Sequence, residues 1–326
     1  MNNRAGLAAG ALVAAVTLAL PAVLDDSALA VYILLGLAAM VTVGVSLLMG
    51  YAGQVSLGQG AFYAIGAYTA ALLALAGVPP LAGLAAAPVA AALSALVIGT
   101  PLLRLRGHHL AFATLAVQLI LLSLAGQLEF TGGDIGLQGI PQFGVGSFEA
   151  GGAAVYAYLT WAGLALVMLV TRNVITSRPG RALRALATSE TAAASSGIPV
   201  GRYKLVVFAL SATFAGLAGG IYCFYTGYVA PGSFPVLISI QYIVMAVVGG
   251  LGTIWGAVVG ATAITLLVQG LDRLASLPGM PTYAPSVLSY AVYALVLIVV
   301  VLFMPRGLVP AISARLAKNR KELPYR

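Results

Sequence analysis

Two stretches of the chain combine glycine with small polar groups in a way that suits contact with a solute. The first, Gly50-Tyr-Ala-Gly-Gln-Val-Ser-Leu-Gly-Gln-Gly60, belongs to a run with five glycines between Gly50 and Gly66, and carries Gln54, Ser56 and Gln59. The second, Val248-Gly-Gly-Leu-Gly-Thr-Ile-Trp-Gly-Ala-Val-Val-Gly260, also holds five glycines. Glycine at this density weakens a helix and lets backbones approach closely. A helix broken at membrane depth is tolerated where it lines a cavity, and there it offers free amide and carbonyl groups. Gly53, Gln54, Ser56, Gly58 and Gln59 of the first block, with Gly249, Gly250, Gly252 and Thr253 of the second, are therefore candidate translocation-path residues. The alternative for both blocks is small-residue packing or a tight helical hairpin with no ligand contact. Sequence identity between the blocks is low, so an internal repeat is only suggested.

Other chemistry is absent from the sequence. It has no G-x-x-x-x-G-K-[ST] phosphate loop, no nucleophile–base pairing and no metal-ligand spacing, so neither a cofactor nor a metal is expected. Cys223, the single cysteine, lies in an apolar run and reads as a packing residue.

These blocks must be held by membrane helices. The chain has 326 residues, 61% hydrophobic and only 7% charged, against about 25% charged in soluble domains. Its mean hydropathy is +1.04. A bilayer can solvate such a surface and water cannot. The net charge of +8 would suggest nucleic acid in a soluble protein. Here the basic residues sit between apolar runs with no aromatic-interleaved patch, so nucleic acid is not an expected partner and membrane orientation is the reading.

Apolar runs long enough to span, roughly 17 to 25 residues, lie at 7–24, 28–49, 61–77, 81–103, 108–127, 154–171, 205–226, 236–251, 254–270 and 287–304. The predicted fold is an all-α polytopic helical bundle of about ten spans, a single permease domain over 1–326. Asp25 and Asp26 after the first run argue against a cleaved signal peptide. Charge partition tests the count. The loops on one side hold 15 of the 16 basic residues, and the other side holds only Arg273 with six of the eight acids. Lys and Arg stay in the cytoplasm, which places both termini there. The spans hold almost no ionisable groups, and His108 and His109 sit at an interface, so an intramembrane proton or ion relay is not expected. The energy source should be a partner.

Two loops stand out. The cytoplasmic segment 172–204 predicts an amphipathic helix from Ser177 with Leu183 and Leu186 on one face and Arg181 and Arg184 beside them. Helix continues through Glu190 and breaks at Gly197 and Pro199. Such a helix can lie on the membrane or insert into a groove of a soluble partner. The outer loop 128–153 carries Thr131-Gly-Gly-Asp-Ile-Gly-Leu137, three acids and no base. Its length favours a docking role over an unstructured connection. The cytoplasmic tail 305–326 is basic.

In combination these segments resemble the branched-chain amino acid permeases of bacterial ATP-binding cassette importers, the LivH/LivM type, and LivM more than LivH. The resemblance rests on GYAGQVSLGQGAFYAIGAY at 50–68, LRGHHLAFATLA at 105–116, TGGDIGL at 131–137, GRALRALATSETAAASSGI at 180–198, VVGGLGTIWGAVVGA at 247–261 and FMPRGL at 303–308, in that order. It implies a multi-pass protein of the bacterial cytoplasmic (inner) membrane, in contact with lipid. It also implies two ATP-binding subunits, a second permease and a periplasmic substrate-binding protein as partners. It implies that 180–198 is the ATPase-coupling segment, with Arg181, Arg184, Glu190 and Gly197 as candidate coupling residues. The sequence departs from the family pattern at 187–189, where Ala-Thr-Ser replaces a more charged stretch. Relatives carrying urea, amides or another small polar solute, and an autonomous channel or facilitator, are the alternatives.

Overall fold

The computed structural model describes residues 19–105, 107–145, 148–149 and 152–275, with isolated positions at 17, 294–295, 298 and 307–310. Most of the expected first and tenth spans, the basic tail and both termini lie outside the described residues. Between them the chain forms α1 (Asp26–Ala52), α2 (Gln59–Leu75), α3 (Pro80–Leu102), α4 (His108–Gln127), α5 (Ala153–Thr176), α6 (Arg178–Thr188), α7 (Glu190–Ser195), α8 (Val200–Thr226), α9 (Val236–Gly249) and α10 (Ile254–Ala275). Seven segments are long and apolar enough to cross a membrane, namely α1, α3, α4, α5, α8, residues 231–249 including α9, and most of α10. With α2, shorter at 17 residues, they match eight of the ten expected runs. The chain is an all-α multi-pass membrane protein with two small β ladders.

Helix α1 is the hub. It is apolar all round, the pattern of a helix with no solvent face, and it is buried from Leu29 to Leu48 on most sides by α5, α8, α9 and α10. Tyr32 stacks on Trp161 of α5 with ring centroids 4.6 Å apart.

A second seam joins α2, α3 and α8, and its sequence cause is direct. Gly83, Ala87, Ala91, Ala95 and Gly99 recur every fourth residue and are all buried along one face of α3. The opposite face exposes Val89, Leu93 and Val97, the last at 74%. Lipid offers no hydrophobic drive between helices, so association rests on close packing of small residues. Gly216, Gly219 and Gly220 of α8 complete the seam. Gly219 presses on the Tyr63 carbonyl and Gly216 on Ala91, with no room for a Cβ on either glycine.

The outer loop is ordered where it is described. Leu137–Gln138 (β1) pairs antiparallel with Tyr228–Val229 (β4) after α8, and Gly144–Val145 (β2) pairs with Phe148–Glu149 (β3). Gly136 takes φ +79° and lies against the Val229 carbonyl, a position only glycine fits. The Thr131 hydroxyl donates to the Ala125 carbonyl at 2.7 Å and closes the end of α4.

Gly219→Val is expected to lower thermal stability in detergent by about 1–3 kcal/mol, because the added side chain meets backbone that cannot yield. Val97→Leu on the lipid face should change it by no more than about 0.5 kcal/mol. Equal melting temperatures for the two variants would show that the seam is not what holds α2, α3 and α8 together.

Candidate translocation path and coupling surface

The first glycine block is a break between α1 and α2. Gly53 adopts φ +64° and ends α1, and both its amide and that of Gln54 reach back to the Leu48 carbonyl. The chain then runs without helix to Gly58. It crosses α4, where the Leu57 amide donates to Thr114 Oγ1 at 2.9 Å. A Cβ on Gly58 would sit 2.8 Å from the Thr114 carbonyl, so glycine permits the approach. Thr114 lies six positions into α4, roughly 9 Å along it. The break is therefore inside the bundle and not at its rim.

One amide in the first turn of α2, just past the break, is met by a polar relay. The Gly60 amide donates to Ser239 Oγ at 2.8 Å, and Ser239 Oγ donates to Gln118 Oε1 at 2.6 Å. Gln118 Nε2 donates to the Phe234 carbonyl at 3.5 Å. Thr114, Gln118 and Ser239 were not singled out from the sequence. The available signal was a lone polar residue within each apolar run, most visibly Gln118 in Ala116-Val-Gln-Leu-Ile.

Two of the candidate path residues stand apart. Gln54 and Gln59 are 2% and 0% exposed, and neither side-chain amide atom of either has a hydrogen-bond partner among the described residues. Ser46 Oγ of α1 is in the same condition. Ser56 is buried, and its hydroxyl accepts from the Gly58 amide at 3.4 Å.

The second block is a tight turn between α9 and α10. Gly250 and Gly252 take φ +114° and +76°, and Thr253 Oγ1 donates to the Gly250 carbonyl at 2.8 Å. Gly249 lies on the Gly256 carbonyl and Gly260 on the Met245 carbonyl, so the hairpin closes backbone to backbone. The two blocks meet. Gly50 abuts Gly252 with no space for a Cβ, and Tyr51 Oη donates to the Gly252 carbonyl at 2.6 Å. Gly307 packs against Gly250 in the same way.

The expected coupling segment lies at this junction. Leu183 and Leu186 are buried, as their spacing predicts, and anchor α6. A Cβ on Gly53 would sit 3.5 Å from Ala187 Cα. Arg184 donates to the Ile175 carbonyl at 2.6 Å and to the Gly180 carbonyl at 3.4 Å, and its guanidinium lies 6.0 Å from the Tyr51 ring centroid. Tyr51 thus touches both the second block and α6, whereas the sequence reading singled out its neighbours Gly53 and Gln54 as path candidates and not Tyr51. The expected single helix through Glu190 is in fact two. Ser189 is extended at φ −159° and caps α7 by accepting from the Ala192 amide. Glu190 then pairs with Lys204, whose side chain is only 7% exposed. That pair explains a second difference. The seventh run was expected from 205, but α8 begins at Val200 and buries its lysine within the bundle. Of the four coupling candidates, Arg181, Arg184 and Gly197 lie on the exposed surface and Glu190 is partly buried, while Arg184 and Glu190 also make internal contacts. Gly197, at φ +79°, closes α7.

Comparison with known proteins identifies the family of the chain. The model of the family described as "Branched-chain amino acid transport system / permease component" matches residues 26–301. The chain is 33% identical over 267 residues to the high-affinity branched-chain amino acid transport system permease protein LivM of Salmonella typhimurium, covering 72% of this chain and 60% of the relative. It is 32% identical to LivM of Escherichia coli over the same share. Against LivH of Salmonella typhimurium it is 28% identical, over 83% of this chain and 90% of the relative. The chain thus spans about 60% of the length of the LivM relatives it matches. No solved structure matches it.

Glu190→Gln leaves the nearly buried Lys204 ammonium without its counter-charge. It should cost about 1–2 kcal/mol, less than the ~3–5 kcal/mol of a fully enclosed pair because the carboxylate side is partly exposed. Adding Lys204→Met should restore much of the loss. A double mutant less stable than Glu190→Gln alone, by thermal melting, would remove the pair from the account of how α7 is held.

Proposed function

We propose a function on one premise: the chain belongs to the family of permease components of branched-chain amino acid transport systems. It is the membrane permease subunit of an ATP-binding cassette importer for branched-chain or related amino acids, in the bacterial cytoplasmic membrane. It has no ATPase site of its own. Two ATP-binding subunits, a sister permease and a periplasmic binding protein complete the system.

One observation carries this reading. The amphipathic α6 is seated where the two glycine blocks touch, with Tyr51 between Arg184 and the Gly252 carbonyl. Movement imposed on α6 and α7 from the cytoplasm would reach both blocks without an intervening flexible segment. Arg181, Arg184 and Gly197 form the exposed part of the surface offered to the ATPase, and Arg184 and Glu190 also hold that surface in place. A path opens and closes only if ATP-bound and ATP-free partners make different contacts with it. Along the path, Gly53, Gly58, Gly249, Gly250 and Gly252 keep side chains out of the way. Gln54, Ser56, Gln59 and Thr253 supply neutral polar groups.

The test is leucine uptake into proteoliposomes. Uptake should require ATP, the ATPase subunits and the sister permease together; ATP-independent uptake by this chain alone would make it a facilitator. Gln59→Leu removes two unmet polar atoms, so it should leave melting temperature unchanged or higher while cutting uptake at least tenfold. Full uptake in that variant would reduce Gln59 to a packing residue. Replacing Glu190 and Gly197 together should leave ATP hydrolysis running with transport lost, and normal transport in that double mutant would take α7 out of the coupling.

A further inference from the structure

A cavity of about 250 Å³ lies among α1, α2, α8, α9 and α10, and neither glycine block lines it. Its volume falls just below the roughly 300–1,000 Å³ of sites for drug-sized ligands, so it suits one small solute. Two kinds of group line it. Leu37 and Ile264 form an apolar wall, while Gln241, Gln269, Thr265 and Tyr222 contribute polar atoms. No Asp, Glu, Lys, Arg or His is among the described residues that line it. A solute with a net charge would lose its hydration there without a counter-ion. A zwitterion fares differently, because a glutamine amide can donate to a carboxylate and accept from an ammonium, and tyrosine faces attract a cation.

The cavity ends at Met245, on the side facing the junction of the glycine blocks. Met245 lines it, and Thr42 Oγ1 lies 3.6 Å from the Met245 sulfur, closing the space on that side. Along α1, Ala38, Thr42, Ser46 and Gly50 follow at four-residue steps on one face. Ala38 lines the cavity, Ser46 is a buried hydroxyl with no partner among the described residues, and Gly50 touches Gly252. On α2, Tyr63 lines the cavity, and Gln59, with both amide atoms unmet, is one turn away on the same face. Ser46 and Gln59, whose buried polar atoms have no partner among the described residues, therefore lie between the cavity and the junction of the glycine blocks.

We propose that this cavity is the solute-holding chamber of the permease, that it takes one net-neutral α-amino acid with a short aliphatic side chain, and that the Met245–Thr42 contact closes its cytoplasmic side. The proposal rests on the importer reading above.

The experiment uses the assembled transporter in lipid nanodiscs, with Thr265→Cys labelled by a small methanethiosulfonate reagent; Cys223 is fully buried, and the unsubstituted protein gives the background. Leucine should slow labelling at least threefold, and lysine at the same concentration should not. Gln241→Leu in this background should raise the leucine concentration for half-protection about tenfold. Labelling indifferent to leucine, or slowed equally by lysine, overturns the chamber, as it would if the space held only a lipid chain. ATP-driven leucine uptake by the unsubstituted transporter is scored separately. Uptake present with labelling indifferent sinks the chamber and spares the importer, whereas uptake absent sinks the importer reading.

Discussion

The arrangement depends on the approach of Gly50 to Gly252, fixed by the hydrogen bond from Tyr51 to the Gly252 carbonyl. A helix end and a turn more than 200 positions apart in sequence can touch backbone to backbone only where neither carries a side chain. Their contact sets the height of α1 against the α9–α10 hairpin. It also leaves the Tyr51 ring facing Arg184, so α6 cannot shift without disturbing the hairpin end. A single hydrogen bond of this kind contributes only about 0.5–1.5 kcal/mol. The junction is therefore specific in register but inexpensive to rearrange, as the proposed coupling of α6 to the glycine blocks requires.

How much of this was legible from sequence depended on how local the cause was. The α3 stripe was visible in principle, since Gly83, Ala87, Ala91, Ala95 and Gly99 repeat with the helix period. Leu183 and Leu186 were read correctly for the same reason. The split between α6 and α7 was missed because the alanines on both sides of Thr188-Ser189 carry the helical pattern across it, although Ser189 is a preferred N-cap residue and caps the Ala192 amide. The start of α8 was placed too late for a different reason. Arg202 and Lys204 read as loop charges, yet Lys204 is neutralised inside the bundle by a residue 14 positions earlier. Gln118 and Ser239 each look like isolated polar substitutions in apolar runs. Their relay exists only because α4 and α9 converge on Gly60, and no window of one helix contains that fact. The chamber is less legible still, being a space left by five helices.

The first block also separates structural need from functional retention. A helix broken inside a bilayer must have its amides and carbonyls met by protein. Thr114 does this for the Leu57 amide, and Ser239, itself held by Gln118, does it for the Gly60 amide. Gln54 and Gln59 contribute no hydrogen bond to that task among the described residues. Each amide left unmet in a dry site costs about 1–3 kcal/mol, and leucine would fill a similar volume without that penalty. Stability therefore gives no reason for glutamine at these two positions. A route for a zwitterion does, because neutral amides can exchange contacts with a passing carboxylate or ammonium in one state and stand idle in the closed one. Under the proposed function, the two glutamines stand idle because the path they line is closed.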